Sequence, residues 1–152
     1  MKASRHGLRM LVVGAGLAGA AGVDAHHSYA MFDGARLATV TGSVAKLEWT
    51  NPHVFLWVYV PNTASSTGYD LYAFENGSPN VLTQRGWSKT SFAAGDSIAV
   101  TYWPLLDGRT GGHFAVATRA DGSVIRGAGG PGGSPDASAT VEAPAAPQPS
   151  KP

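Results

Sequence analysis

The sequence predicts an all-β domain carrying one short helix, on three observations. Five short runs rich in Val, Ile, Tyr, Phe and Trp are each bounded by Gly, Pro, Asn or Asp. A helix-start signal, Ser78-Pro79, falls between the third and fourth runs. The two ends of the chain, residues 1–25 and 127–152, have compositions that contribute no core, which leaves residues 26–126 as the domain.

Leu37 to Trp49 alternates partially through Val40, Gly42 and Val44, then shifts toward Leu47 and Trp49. It reads as a long first strand, bent or bulged near Gly42. Thr50-Asn51-Pro52 ends it, because proline lacks a ladder donor and restricts the residue before it. His53 to Val60 (HVFLWVYV) is the second strand, Pro61 to Gly68 a loop, and Tyr69 to Glu75 (YDLYAFE) the third strand.

Asn76-Gly77 stops that strand. Ser78 as N-cap and Pro79 at the first helical position start about two helical turns that reach Trp87. Ala94-Gly95-Asp96 is a turn before the fourth strand, Ser97 to Trp103 (SIAVTYW). Asp107 to Gly112 is a loop, and His113 to Thr118 (HFAVAT) begins the fifth strand. Asp121-Gly122 signals a hairpin with a short return at Ser123 to Ile125. A helix between the third and fourth strands of a five-stranded Greek-key barrel is the layout of the OB-fold. A small β-sandwich or half-barrel is the alternative architecture.

The first end reads as a signal peptide. Lys2, Arg5 and Arg9 form a basic region, and Met10 to Val23 is an apolar run of about fourteen residues, too short to span a bilayer. Val23-Asp24-Ala25 offers a cleavage site after Ala25, so the mature chain is expected to begin at His26 in the periplasm or outside the cell. That mature form carries no transmembrane span. Gly14, Gly16 and Gly19 spell a dinucleotide-binding fingerprint, but no second parallel strand, crossover helix or acidic residue follows at the required spacing. The other end, GAGGPGGSPDASATVEAPAAPQPSKP, is almost wholly Gly, Pro, Ala and Ser. It is expected to be a disordered tail that can be deleted without loss of folding.

Charge and cysteine usage narrow the function. Without Lys2, Arg5, Arg9 and Asp24, the 11 basic and 10 acidic residues fall to 8 and 9. A nearly neutral chain argues against nucleic acid as a partner. With no cysteine there is no disulfide, no thiolate metal site and no cysteine nucleophile. No carboxylate pair or His-Asp relay can be assembled by spacing either, so no catalytic residue is named and a non-enzymatic binding protein is the leading class.

Several strings carry a resemblance. They are AHHSYAMFD from Ala25, EWTNPHV from Glu48, FENGSPN from Phe74, RGW from Arg85 and AGDSIAV from Ala94. On these the chain resembles the bacterial domain of unknown function 6152, a family of small exported proteins. The resemblance implies an exported OB-like domain and no established activity.

The candidate chemistry gathers on histidine. An N-terminal His26 would offer its α-amine and its imidazole, and His27 follows at once. Such a nitrogen set suits Cu(II), with Zn(II) behind it, and Met31 could add a soft thioether toward Cu(I). The competing reading is two polar residues at a loose chain start. His53 is a second candidate ligand and His113, at the start of the fifth strand, a third.

Closing Val60 onto Tyr69 makes paired residue numbers sum to about 129. Phe55 then faces Phe74, Trp57 faces Tyr72 and His53 faces Asn76, with Glu75 on the opposite face. That register sorts Phe55, Trp57, Tyr59, Tyr72 and Phe74 onto one aromatic face and the aliphatic residues onto the other. Asn51, His53, Asn76 and Ser78 would meet at one barrel end, with Glu75 beside them. The aromatic face is expected to be covered by the N-terminal segment and loops, since large exposed apolar patches are unusual. If open, it would bind a small ligand or an envelope protein, as OB-folds use this sheet.

Overall fold

The computed structural model describes residues 29–131 and 133. The elements are β1 (Ala38–Glu48), β2 (Phe55–Pro61), β3 (Tyr69–Glu75), α1 (Pro79–Gln84), β4 (Ser97–Pro104), β5 (Gly111–Arg119) and β6 (Val124–Arg126). Their order is the expected one. The sheet runs β3-β2-β1-β4-β5-β6, and an additional β3–β5 pairing closes the first five strands into a barrel, with β6 outside the ring. Closure is parallel: Ala73, Phe74 and Glu75 pair with Gly111, Gly112 and His113. A closed five-stranded Greek key with a helix between β3 and β4 is the OB-like barrel rather than a sandwich or half-barrel.

β1 serves both halves of the barrel. Ala38 to Ser43 pair with β4, and Ser43 to Glu48 pair with β2. The irregularity expected near Gly42 falls two residues later, as a register shift between Val44 and Lys46. Gly42 answers a different need. The β2 backbone passes so close that a Cβ there would stand 2.3 Å from the Tyr59 carbonyl oxygen.

Helix α1 begins as the sequence predicts, with the Ser78 hydroxyl accepting from the Val81 amide and Pro79 in the first turn. It ends at Gln84, earlier than the expected Trp87. The amides of Arg85 and Trp87 turn back to the Leu82 carbonyl and that of Gly86 to Thr83, with Gly86 at φ 85°. Leu82, Trp87 and Phe92 join Val44, Leu56, Val58, Phe74, Ile98, Val100, Tyr102 and Phe114 in one buried core.

The β2–β3 register differs from expectation by one residue. Leu56 pairs with Phe74, Val58 with Tyr72 and Phe55 with Glu75, so paired numbers sum to 130. The turn sets this. Pro61, not Val60, pairs with Tyr69, and the Asn62 amide bonds the Gly68 carbonyl. Phe74 is thereby fully buried, 4.9 Å from the Tyr102 ring, and Tyr72 turns inward beside it. Leu71 and Ala73, expected inside, face outward with Phe55, Trp57 and Tyr59. Burying two large aromatic rings gains more than burying Leu71 and Ala73 would.

A smaller cluster lies outside the barrel wall, where Phe32, Trp103 and Ala115 are buried against Tyr29 and Leu105. The packed chain also continues past Arg126, where the domain was expected to end. The Gly127 amide bonds the Ala115 carbonyl, and the Ala128 amide bonds Asn76 Oδ1. A Cβ on Gly130 would lie 2.3 Å from the Trp103 ring, so only glycine lets this strap approach. Pro131 then reaches Gly34, whose Cβ, if present, would stand 3.2 Å from the proline's own. No helix among the described residues is long and apolar enough to cross a membrane.

Candidate functional site

Three ionisable side chains meet where β2 starts, β3 ends and β5 begins. His53 precedes β2 and projects from the same outer face as Phe55. Its Nδ1 lies 2.5 Å from Oε1 of Glu75. Glu75 pairs in register with His113, the third member. The expected facing of His53 with Asn76 is replaced by backbone bonds between Val54 and the Asn76-Gly77 corner, at 2.9 and 3.1 Å.

Burial raises the Glu75 carboxyl above its ordinary value, with the nearby His53 imidazole pulling the other way. His113 is only 3 % exposed. Its ring lies 5.0 Å from Tyr29 and 5.3 Å from Phe32, both edge-on, and 5.9 Å from Trp103. Burial pushes its imidazole down to about 4, and His53 pushes the same way. Nδ1 of His113 has no hydrogen-bond partner. His113 is therefore neutral and roofed by aromatic rings, closed to a ligand arriving from solvent.

The geometry separates the expected site residues. His53 and Glu75 come together. Asn76 is buried, and its Oδ1 accepts from the amides of Gly77 and Ala128, so it fastens a corner rather than a ligand. Ser78 is spent on the helix cap. Tyr72 and Phe74 leave the aromatic face for the interior, and Asn51 sits in an exposed turn. His26 and His27 lie outside the described residues. Among the described residues, no group of three or more His, Cys, Asp or Glu side chains converges as a metal-binding set.

The aromatic face is half covered. The segment from Tyr29 to Asp33 crosses it, tied by the Phe32–Leu105 bridge and by the Asp33 amide on the Pro104 carbonyl. It closes over His113 and Trp103 and leaves Phe55 and Trp57 half-exposed. Between the two sides runs a groove of about 500 Å³, floored by Leu71, Ala73 and Glu75 and walled by Met31, Trp57 and Arg109 among others. Trp57 is oriented there by two side chains of β1. Its Nε1 donates to Glu48 Oε2 at 3.1 Å, and Lys46 Nζ, itself on Glu48, lies 5.0 Å over the ring. Sequence reasoning missed Leu71, which the one-residue register difference turns outward, and Arg109, whose loop the β3–β5 pairing brings beside β3, with the Thr110 hydroxyl donating to the Leu71 carbonyl.

A family model described as a family of unknown function (DUF6152) matches residues 15–114. No curated protein matches, and no solved structure does.

Proposed function

The chain belongs to the DUF6152 family of unknown function, and from that premise, which brings no activity with it, we propose that the protein is an exported small barrel that binds a transition metal at its histidine end, copper before zinc. The Glu75–His53 pair carries this reading. A carboxylate on Nδ1 fixes the imidazole tautomer and leaves Nε2 as the free ligand nitrogen, the usual outer-shell arrangement around a metal-bound histidine.

The packing of Tyr29 supports the rest. His27 is two residues before Tyr29, so covalent geometry holds its Cα within about 7 Å of that of Tyr29. Tyr29 itself lies against His113, next to Glu75. Cleavage after Ala25 would add the His26 amine and imidazole to His27 and His53, a nitrogen-rich set suited to Cu(II). Met31, 47 % exposed beside the same groove, supplies a soft donor for Cu(I). The barrel's own contribution is orientation: Glu75 contacts His53, and Tyr29, the first described residue after the other histidines, packs on His113.

Titration of protein starting at His26 tests this. One Cu(II) should bind with nitrogen-dominated ligation seen by electron paramagnetic resonance, and affinity should fall in acid as amine and imidazole take up protons. His26→Ala, or an added N-terminal Met, should weaken it. Affinity no better than that of a short His-His peptide would remove the reading.

The groove favours a second reading, a small ligand laid on Phe55 and Trp57 over Leu71 and Ala73. Its volume is in the range of small-molecule sites. Trp57→Ala would abolish such binding and leave the copper titration unchanged.

A further inference from the structure

A second pocket, of about 400 Å³, lies between the end of α1 and β6, away from the histidines. Its lining includes Arg85, Trp87, Ser91, Val124, Ile125 and Arg126. Ion pairs among the described residues occupy Arg36, Lys46, His53 and Arg109. Arg85 and Arg126 line this pocket, and Arg119 reaches its edge by donating to the Ser91 carbonyl; these three, and Lys89 in the adjoining turn, pair with no described carboxylate. The acidic groups near them are Asp121, whose carboxyl is held down mainly by Ser123 and slightly by Arg119, and Asp96, which accepts from the Ala93 amide.

Two of the guanidinium groups are already positioned. Arg85 Nη1 donates to the Gly127 carbonyl at 3.2 Å, and Arg119 Nη2 donates to the Ser91 carbonyl while its guanidinium stacks 5.3 Å over Phe92. One carbonyl uses one of five N–H donors, so each arginine is oriented and most of its donors stay free. Arg126 is fixed through its backbone, whose carbonyl accepts from Trp87 Nε1 at 2.7 Å. Hydroxyls of Ser88, Thr90 and Ser91 flank Lys89 in the adjoining turn. The floor is apolar, and Val124 is 50 % exposed at the rim.

We propose that this pocket binds the phosphate group of an amphiphilic ester. Two lining guanidinium groups, Arg85 and Arg126, with that of Arg119 beside Ser91, suit an oxyanion with several acceptor oxygens better than a single carboxylate. Trp87, Ile125 and Val124 give the esterified part an apolar seat. A soluble phosphate ester and a phospholipid headgroup present the same group to these donors.

The test uses the whole mature chain. sn-Glycerol 3-phosphate is titrated while backbone amide shifts are followed, and sedimentation is measured with phosphatidylglycerol and with phosphatidylcholine vesicles. Lys89 and Arg126 have side chains that pin nothing, so R126E and K89E keep the fold, checked by thermal unfolding. Expected are saturable shifts confined to residues 85–91 and 119–126, or sedimentation with phosphatidylglycerol alone, and at least about a tenfold loss of either in R126E. The first outcome assigns a soluble ester and the second a lipid headgroup. No saturation below about 10 mM ester together with no vesicle preference overturns the proposal. Binding that R126E and K89E leave unchanged overturns it equally. The copper titration is unaffected in both variants, so the two sites stand or fall separately.

Discussion

Glu75 and His113 are register partners across the parallel seam that closes the barrel, yet burial drives them in opposite directions. It raises the carboxyl and lowers the imidazole, so each is held toward its neutral form. An acid and a base side by side, both short of water, make this seam sensitive to pH.

The His113 imidazole titrates near 4 in the folded chain and near 6.5 when unfolded. Between those values the unfolded chain binds more protons, so stability falls as pH drops from about 6.5 toward 4. At about 1.4 kcal/mol per pH unit the loss from this group reaches about 3 kcal/mol. Glu75, raised in the fold, works in the opposite sense and gains stability as pH falls. Denaturant unfolding of the protein and of His113→Phe across this range isolates the histidine. The variant should lose the acid-dependent part and be neutral or more stable at pH 7, since it removes an unpartnered buried nitrogen. An unchanged slope would place the sensitivity elsewhere.

Phe74→Ala should cost about 3–5 kcal/mol, and Leu71→Ala less than about 1 kcal/mol. Phe74 is fully buried while Leu71 is 41 % exposed. Pairing one residue over would reverse the two costs, so chemical denaturation of the pair measures the register directly.

Glu75→Gln should weaken copper binding about 10- to 100-fold with the fold intact. Glutamine keeps a contact to His53 but can present its amide N–H instead of an acceptor, so the tautomer that leaves Nε2 free is no longer enforced. Competition against a chelator of known affinity reads this, and an unchanged affinity would detach His53 from the metal.

Removing residues 127–152 should destabilise the barrel by at least about 2 kcal/mol, because it uncovers Trp103 and strips Asn76 Oδ1 of its Ala128 donor. Removing only 134–152 should leave stability within about 0.5 kcal/mol. Thermal unfolding of the two truncations would show whether the strap or the remaining tail matters.

The strands and their order were legible because alternation, aromatic content and breakers are local. Tyr69–Glu75 and the Ser78-Pro79 helix start are where the sequence predicts them. The register was not legible, because it depends on which residues close the loop from Asn62 to Gly68, and periodicity alone tolerated a sum of 129. The strap was missed for a physical reason. Its glycines bury no side chain and work by having none, so a search for apolar periodicity passes over them. His53 is a candidate in the sequence as the first residue of the second strand at a barrel end, but the same slip puts its carboxylate partner Glu75 on the wrong face. The burial of His113 rests on Tyr29 and Phe32, more than eighty residues earlier in the chain.

Phe32 and Gly130 both lie against Trp103, and Gly34 meets Pro131, so the first and last described segments of the chain run side by side. A short linker joining them would close the chain into a circle, and the loop from Asn62 to Gly68 could be opened to give new ends without breaking a strand. The barrel is thus a module that can be inserted into a host protein at a single point, its two attachment threads side by side.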